Sequence, residues 1–206
     1  MAVDQRLRPR KRPQQSRSHE TRQRILDAAA RIFAEHGYSA GTTNRIAAAA
    51  GMSIGSLYQY FPNKDAIIVE LTRAHIADGT AQLHAVLAAG LPTGLTERLR
   101  VVVDATVAAH TGGHRLHQVL FEQAPRPAEV VDELRAAEDA LVEVVAALLA
   151  DDPAVAVDDP HLAARIVVTT VESLVHRFVT RDPADGDLAA LTGELVRMLE
   201  RYLAGT

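Results

Sequence analysis

Apolar residues recur at three- and four-residue spacing along most of this chain, and short segments rich in glycine or proline separate the repeats. This period places apolar side chains on one face of an α-helix. The first such stripe follows Ser18 and consists of Ile25, Ala28, Ala29, Ile32 and Phe33. Comparable stripes continue to the C-terminus, and no segment alternates as a strand would. We therefore predict an all-α protein with about nine helices.

Two of the predicted helices are short and lie close together near the N-terminus. Thr42 or Thr43 is suited to cap the first, which ends at Gly51. Ser53 is suited to cap the second, which Pro62 stops. Two short helices joined by a tight, glycine-containing turn form a helix-turn-helix, whose second helix enters the major groove of DNA.

The second short helix carries two tyrosines two positions apart. Residues two apart do not share a helix face, whereas Leu57 and Phe61, four apart, can both face a core. Tyr58 and Tyr60 then point outward, where their hydroxyls can contact phosphate. The alternative is a small helical subdomain whose tyrosines lie at a protein interface.

The net charge changes sign just after the two short helices. Residues 1–64 hold 11 Lys/Arg against 4 Asp/Glu, a net of +7, and residues 65–206 hold 11 against 22, a net of −11, which together give −4. A basic end on an acidic body favours a polyanion as partner of the first part only, although a solvated basic tail is the simpler alternative. The apolar runs are too short for a membrane span, the N-terminus has no signal-peptide core, and there is no cysteine for disulfides or thiolate sites.

The segment "ETRQRILDAAARIFAEHGYSAGTTNRIAAAAGMSIGSLYQYFPNKDAII" resembles the DNA-binding domain of TetR-type transcriptional regulators almost position by position. The shared features include Phe-x-x-x-Gly-Tyr, the double threonine, Ile-Ala-x-x-Ala-Gly, Ser-x-Gly-Ser-Leu-Tyr-x-Tyr-Phe and Asn-Lys-Asp. Residues 1–17 are rich in arginine and proline with almost no apolar content, which predicts a disordered basic arm. The resemblance implies a helix-turn-helix DNA-binding domain over 18–64 and a larger helical ligand-binding and dimerisation domain over 65–206.

The resemblance also assigns DNA contacts. Phosphate contacts are expected from Thr43, Tyr58, Tyr60 and Lys64. Base or nearby backbone contacts are expected from Asn44, Arg45, Ile54, Gly55 and Ser56. The caps Thr42 and Ser53 complete the predicted DNA-binding set. Arg45 matches the O6 and N7 acceptors of guanine, and a phosphate clamp is its equally open alternative.

The family layout implies that the last two helices join two subunits in a homodimer. The predicted interface residues are Leu162, Ile166, Thr170, Leu188, Leu191, Leu195 and Tyr202. The middle helices would enclose a pocket for a small-molecule effector. Its candidate lining residues, polar or aromatic positions among apolar runs, are Thr106, His110, His117, Phe121, Glu172 and His176.

His110, His114 and His117 have the spacing of one helical face, which could hold a metal ion, but Gly112-Gly113 should break that helix. Ordinary histidines of a loop and a helix start, or histidines that sense a ligand or pH, are the alternatives. We expect no metal and no cofactor. No phosphate loop, nucleophile elbow or HExxH motif occurs, so we expect no enzyme.

Together these features predict a cytoplasmic, homodimeric regulator that binds a double-stranded DNA operator without a membrane partner, most simply a repressor released by a small molecule. A constitutive DNA-binding dimer is the first alternative. A helical metal or small-molecule enzyme is the second.

Overall fold

The structure, a computed structural model, describes residues 13–180 and 185–205, and every regular element in these ranges is helical. The nine α-helices are α1 (Pro13–Ala40), α2 (Thr43–Ala49), α3 (Ile54–Tyr58), α4 (Lys64–Ala88), α5 (Leu95–Thr111), α6 (His114–Gln118), α7 (Ala128–Ala150), α8 (Pro160–Val179) and α9 (Asp185–Ala204). The predicted all-α class is confirmed. No helix in the described ranges is long and apolar enough to cross a membrane.

The chain divides into two compact units, residues 1–70 and 71–206, so the division falls within α4. The first unit holds α1, α2, α3 and the start of α4. Its core comes from the apolar faces that the sequence pattern predicts, and its largest fully buried side chains are Ile25, Phe33, Ile46, Leu57, Ile67 and Ile68.

The end of α1 depends on two glycines. Gly37 has a φ of 73°, a left-handed conformation that side chains disfavour, and it kinks α1 three residues before its end. A Cβ on Gly41 would lie 2.4 Å from a ring carbon of Phe33. Both positions therefore need glycine, the first for its backbone and the second for space.

Three helix starts are capped by polar side chains, the first by Thr42 as the sequence predicts. The Thr42 hydroxyl accepts from the Arg45 N–H at 3.3 Å. The Asn63 side chain accepts from the Ala66 N–H at 2.8 Å. Asp159 caps α8, with Pro160 at its first turn. These bonds satisfy backbone donors that a helix start leaves unpaired.

The second unit is built around α8, which packs on α5, α7 and α9, while α5 also packs on α9. Seven side chains of α8 are buried, and five of them are valines at positions 167, 168, 171, 175 and 179. Their core partners include Val103 of α5, Val142 of α7 and Leu199 of α9. This core fixes the helices that carry the cavity described below.

One boundary differs from the sequence-based expectation, and two helices depart from regular α-geometry. Helix α1 begins at Pro13 rather than Ser18, so residues 13–17 of the predicted arm are helical, and residues 1–12 lie outside the described part. Gly37 kinks α1 instead of ending it. Helix α6 changes at Val119 into a π-helical turn that ends at Gln123.

Candidate functional site

The turn between α2 and α3 is closed by backbone hydrogen bonds around Gly51. Gly51 has a φ of 66°, and the Met52 N–H donates to the Ala47 carbonyl at 3.0 Å. Leu57 and Phe61 are buried, as their four-residue spacing predicts. Helix α3 is thereby held against α2 by its inner face, and its other face stays outward.

The outward surface of α2 and α3 consists mainly of predicted DNA-binding residues. Asn44, Arg45, Ser53, Gly55 and Tyr58 are exposed, and Tyr58 retains 50% of its accessible surface. We call these five residues the recognition face. Thr42 is exposed as well, whereas Thr43, Ile54, Ser56, Tyr60 and Lys64 are partly buried. The structure thus brings all the predicted DNA-binding residues into one unit, and their contacts with DNA stay a prediction.

Two hydroxyl pairs order this surface. The Thr43 and Tyr58 hydroxyl oxygens lie 3.3 Å apart and link α2 to α3. Ser53 and Ser56 hydroxyls lie 2.9 Å apart, and the Ser53 hydroxyl also accepts from the Ser56 N–H at 3.1 Å. Side chains held in this way lose less freedom when they bind a phosphate.

Gly55 has no role in the packing of its own chain. A Cβ at this position would meet only the Ser53 hydroxyl oxygen, at 3.9 Å, and the backbone is helical with a negative φ. Neither strain nor crowding within the chain requires glycine here. The missing side chain leaves room for an external partner to approach the backbone.

Lys64 has a structural partner that the sequence did not reveal. Its ammonium lies 3.8 Å from the centre of the Tyr38 ring and donates to the Tyr38 carbonyl oxygen at 2.9 Å. The Tyr38 hydroxyl donates to Asp65 at 2.5 Å. Partial burial and this bond to a carboxylate raise the pKa of Tyr38 to about 12. Lys64 therefore holds the end of α1, whatever it contributes to DNA.

The second unit contains a cavity of about 670 Å³, lined by α4, α5, α7 and α8 together with α6 and the π-helical turn. Small side chains such as Gly79, Ala105, Ala109 and Ala137 leave it open. All six predicted ligand-binding residues line this cavity: Thr106, His110, His117, Phe121, Glu172 and His176. Their contact with a ligand stays a prediction.

One wall of the cavity holds four histidines from four helices, His75, His110, His117 and His176, which we call the histidine cluster. His117 is central and only 3% exposed. Its Nδ1 lies 3.0 Å from Nε2 of His75, and its Nε2 lies 2.6 Å from Nδ1 of His176. The Phe121 ring packs on it with 4.5 Å between ring centres.

His110 connects the cluster to a carboxylate. Its Nδ1 lies 2.8 Å from the Thr106 carbonyl oxygen, so this nitrogen carries the proton and donates it. Its Nε2 lies 3.4 Å from Oε2 of Glu172, whose side chain is 41% exposed. The structure thus pairs Glu172 of α8 with His110 of α5.

The surroundings move the pKa values of the cluster in two directions. Burial, followed by the neighbouring imidazoles, lowers the pKa of His117 well below its usual value. Burial and the charge of His110 also lower the pKa values of His75 and His176. For His110, burial acts downward but Glu172 and the Thr106 carbonyl outweigh it, so its pKa is raised. The surroundings therefore favour the neutral form of His75, His117 and His176 and the protonated form of His110.

The sequence predicted only part of this arrangement. His110 and His117 do meet, but the nearby third imidazole is His176 of α8 rather than His114. His75 had no signal, because residues 35 or more positions away in sequence become neighbours only through helix packing. The π-helical turn, a feature that is frequent at functional sites, likewise has no sequence signature here.

The predicted dimer residues divide into two groups. Leu162, Ile166 and Tyr202 are exposed apolar side chains on α8 and α9, and Met198 extends the same kind of surface. Leu195 is only 2% exposed and lies in the core of its own unit, so its side chain cannot reach a partner. Leu188 and Leu191 are partly buried against that core, and Thr170 is partly buried.

Comparisons with known proteins agree with this geometry. Residues 25–71 match the family described as "Bacterial regulatory proteins, tetR family", and residues 94–203 match "Tetracyclin repressor-like, C-terminal domain". The HTH-type transcriptional repressor KstR2 of Rhodococcus jostii is 36% identical over 93 residues, which are 45% of this chain and 45% of that protein. The matches to curated relatives thus span less than half of the relatives' length.

Two solved structures resemble the chain over most of its length. A TetR-like transcriptional regulator from Rhodococcus sp. RHA1 is 25% identical with a TM-score of 0.69, covering 90% of this chain and 97% of that one. FadR from Bacillus subtilis, solved in complex with stearoyl-CoA, is 22% identical with a TM-score of 0.68, covering 88% and 98%. At 22% identity, the similarity to FadR shows a shared fold only.

Proposed function

Because this chain belongs to the tetR family of bacterial regulatory proteins, we propose that it is a homodimeric transcriptional repressor that binds a specific DNA operator and is released by a small molecule. The observation that carries the proposal is the recognition face. Its residues lie outward on a helix-turn-helix whose inner side chains, such as Leu57 and Phe61, are buried. Position 55 is a glycine although the protein itself leaves room for a side chain there.

The chemistry of the recognition face suits duplex DNA. Asn44 and Arg45 begin the exposed side of α2, and an arginine fork can bind guanine O6 and N7 or clamp a phosphate. Tyr58 and Thr43 offer hydroxyls to the backbone. The net charge of +7 over residues 1–64 attracts the polyanion as a whole.

A homodimer would place two recognition faces on one operator. In such dimers the half-sites lie about 34–36 Å apart, one turn of DNA, and the operator is palindromic. The exposed apolar residues of α8 and α9 supply a surface for a second copy, since lone exposed residues are common but paired apolar faces usually bind something. We place the protein in the cytoplasm, with its DNA, and assign it no enzymatic activity.

The cavity is the proposed effector site. Its volume of about 670 Å³ falls within the range of about 300–1,000 Å³ that is usual for small-molecule pockets. Leucines and valines from α4, α7 and α8 line one part, and the histidine cluster with Glu172 lines another. We infer an effector with an apolar body and one polar group. It would displace DNA by binding more tightly to the conformation that does not fit the operator.

Selection of bound duplexes from a random pool by the full-length chain tests the DNA-binding part. We expect a palindromic motif, and a pool that shows no enrichment would refute sequence-specific binding. Thermal unfolding with a panel of apolar carboxylic acids, thioesters and amines tests the effector part, since a ligand that binds only the native state raises its stability. If no compound shifts unfolding, a constitutive regulator is the better description.

A further inference from the structure

The histidine cluster has the composition and arrangement of a metal-binding site. His110, His117 and His176 each offer one ring nitrogen, and these three nitrogens all lie within 4.8 Å of one another. They come from α5, α6 and α8, so three separate elements converge on one point. Isolated histidines have no reason to converge in this way, whereas metal ligands must.

The hydrogen bonds of His110 leave one nitrogen for a cation. Since Nδ1 of His110 donates to the Thr106 carbonyl, the lone pair of its neutral ring is on Nε2. That lone pair faces a carboxylate oxygen of Glu172 at 3.4 Å. Two electron-rich atoms at this distance need a proton or a metal ion between them.

His117 has the same arrangement. If its Nδ1–H donates to Nε2 of His75, its own Nε2 lone pair points at Nδ1 of His176, 2.6 Å away. A ligand histidine in metalloproteins usually donates its other N–H to a second group, which fixes the ring and its tautomer. The Thr106 carbonyl does this for His110, and in this tautomer His75 does it for His117.

The distances are close to those of a tetrahedral site. Ligands at about 2.0–2.2 Å from a zinc ion in a tetrahedral site lie about 3.3–3.6 Å from one another. The 3.4 Å between His110 and Glu172 falls in this range, and the 2.6 Å between His117 and His176 is shorter. The three histidine nitrogens lie within 4.8 Å of one another, so ring rotations are needed to bring all of them to one ion. His110 and His117 are shielded from solvent, while Glu172 borders the open cavity and leaves an entry path.

We propose that His110, His117 and His176 bind one divalent transition-metal ion, with Glu172 as the fourth ligand and His75 as the group that orients His117. Imidazole nitrogen selects zinc, nickel, cobalt or copper over magnesium and calcium, which prefer oxygen. Between His110 and Glu172 the ion takes the place that a shared proton would otherwise fill. This replaces the expectation from sequence that no metal is bound, and it does not depend on DNA binding.

The test uses the untagged full-length chain, stripped with a chelator and titrated with Zn²⁺ against a chromophoric competitor. We expect one saturable Zn²⁺ per chain. His176→Gln removes a ligand and should weaken binding at least tenfold. His75→Gln removes only the orienting group and should weaken binding about 10–100-fold, the usual cost of losing such a partner.

His84→Gln is the matched control, because His84 lines the same cavity outside the cluster and should bind Zn²⁺ as the unaltered chain does. Circular dichroism in chelator shows that each variant is folded. Visible absorption of the Co²⁺-loaded unaltered chain gives a readout that needs no variant, and we expect bands of tetrahedral nitrogen and oxygen coordination. Failure to saturate with Zn²⁺, or equal binding by His84→Gln, His75→Gln and His176→Gln, would show a hydrogen-bonded imidazole cluster without an ion.

Discussion

Replacing Gly55 by alanine should move protein stability and DNA affinity in opposite directions. Within the chain the new methyl group meets nothing closer than 3.9 Å, and the backbone is already helical. Alanine is favoured over glycine in a helix by up to about 1 kcal/mol, so the free protein should gain a few tenths to 1 kcal/mol. The melting temperature should therefore stay constant or rise.

On DNA the same methyl group would enter a close contact. Overpacking by a single methyl group in a tightly packed region costs about 1–3 kcal/mol, and a dimer suffers it twice. We expect at least a tenfold loss of operator affinity, equivalent to about 1.4 kcal/mol. The salt dependence should not change, because no charge is removed.

Gly51→Ala is the matched control for this experiment. Gly51 has a φ of 66°, which alanine adopts only with strain of about 1–2 kcal/mol, so this variant should lose stability. Fluorescence anisotropy on operator DNA and thermal unfolding measure both quantities. Unchanged DNA affinity in Gly55→Ala would refute the assignment of α3 to the DNA contact.

Further predictions concern the other parts of the molecule. Arg45→Ala should relax the preference at one base pair by about 1–3 kcal/mol if the arginine binds guanine, and equal weakening on every sequence would identify a phosphate clamp instead. Ile166→Glu together with Met198→Glu places charges on the exposed apolar face of α8 and α9, and light scattering should then detect monomers; a surviving dimer would mean that another surface joins the subunits. Metal-free protein should lose stability in acid, because His75, His117 and His176 have lower pKa values in the folded chain than in the unfolded chain. Below about pH 6.5 the unfolded chain therefore binds more protons than the folded chain, and this favours unfolding. The stability that these histidines contribute is fully present above about pH 6.5. Below it, stability falls by up to about 1.4 kcal/mol per pH unit for each of His75 and His117 and by less for the more exposed His176, and the raised pKa of His110 partly offsets the loss. A flat unfolding profile between pH 7 and 5 would contradict this.

The helix-turn-helix could be predicted because its determinants are local. Caps such as Thr42 and Asn63 act within three residues, and the pair Leu57 and Phe61 lies one turn apart. The all-α class follows from the same short-range periodicity. Sequence spacing also identified the cavity-lining residues, since polar side chains in apolar helices must face an opening or a partner.

The remaining features depend on packing between distant segments. His75 and His176 join His117 across 42 and 59 positions in sequence. The contact between the Lys64 ammonium and Tyr38 likewise joins two helices, α4 and α1. Leu195 was placed on the wrong side of α9, because an apolar stripe does not reveal whether it faces the chain's own core or a partner.

The central claim is sequence-specific DNA binding by the recognition face. The ratio of the affinities for a selected and a shuffled duplex tests it most directly. The full-length chain is titrated at physiological salt with the selected duplex and with a shuffled duplex of the same composition. Specific binding proteins favour their sites by about 10³-fold or more, and we expect a ratio in this range. Equal affinity for the two duplexes would show that the basic end binds DNA only as a polyanion and would contradict the account.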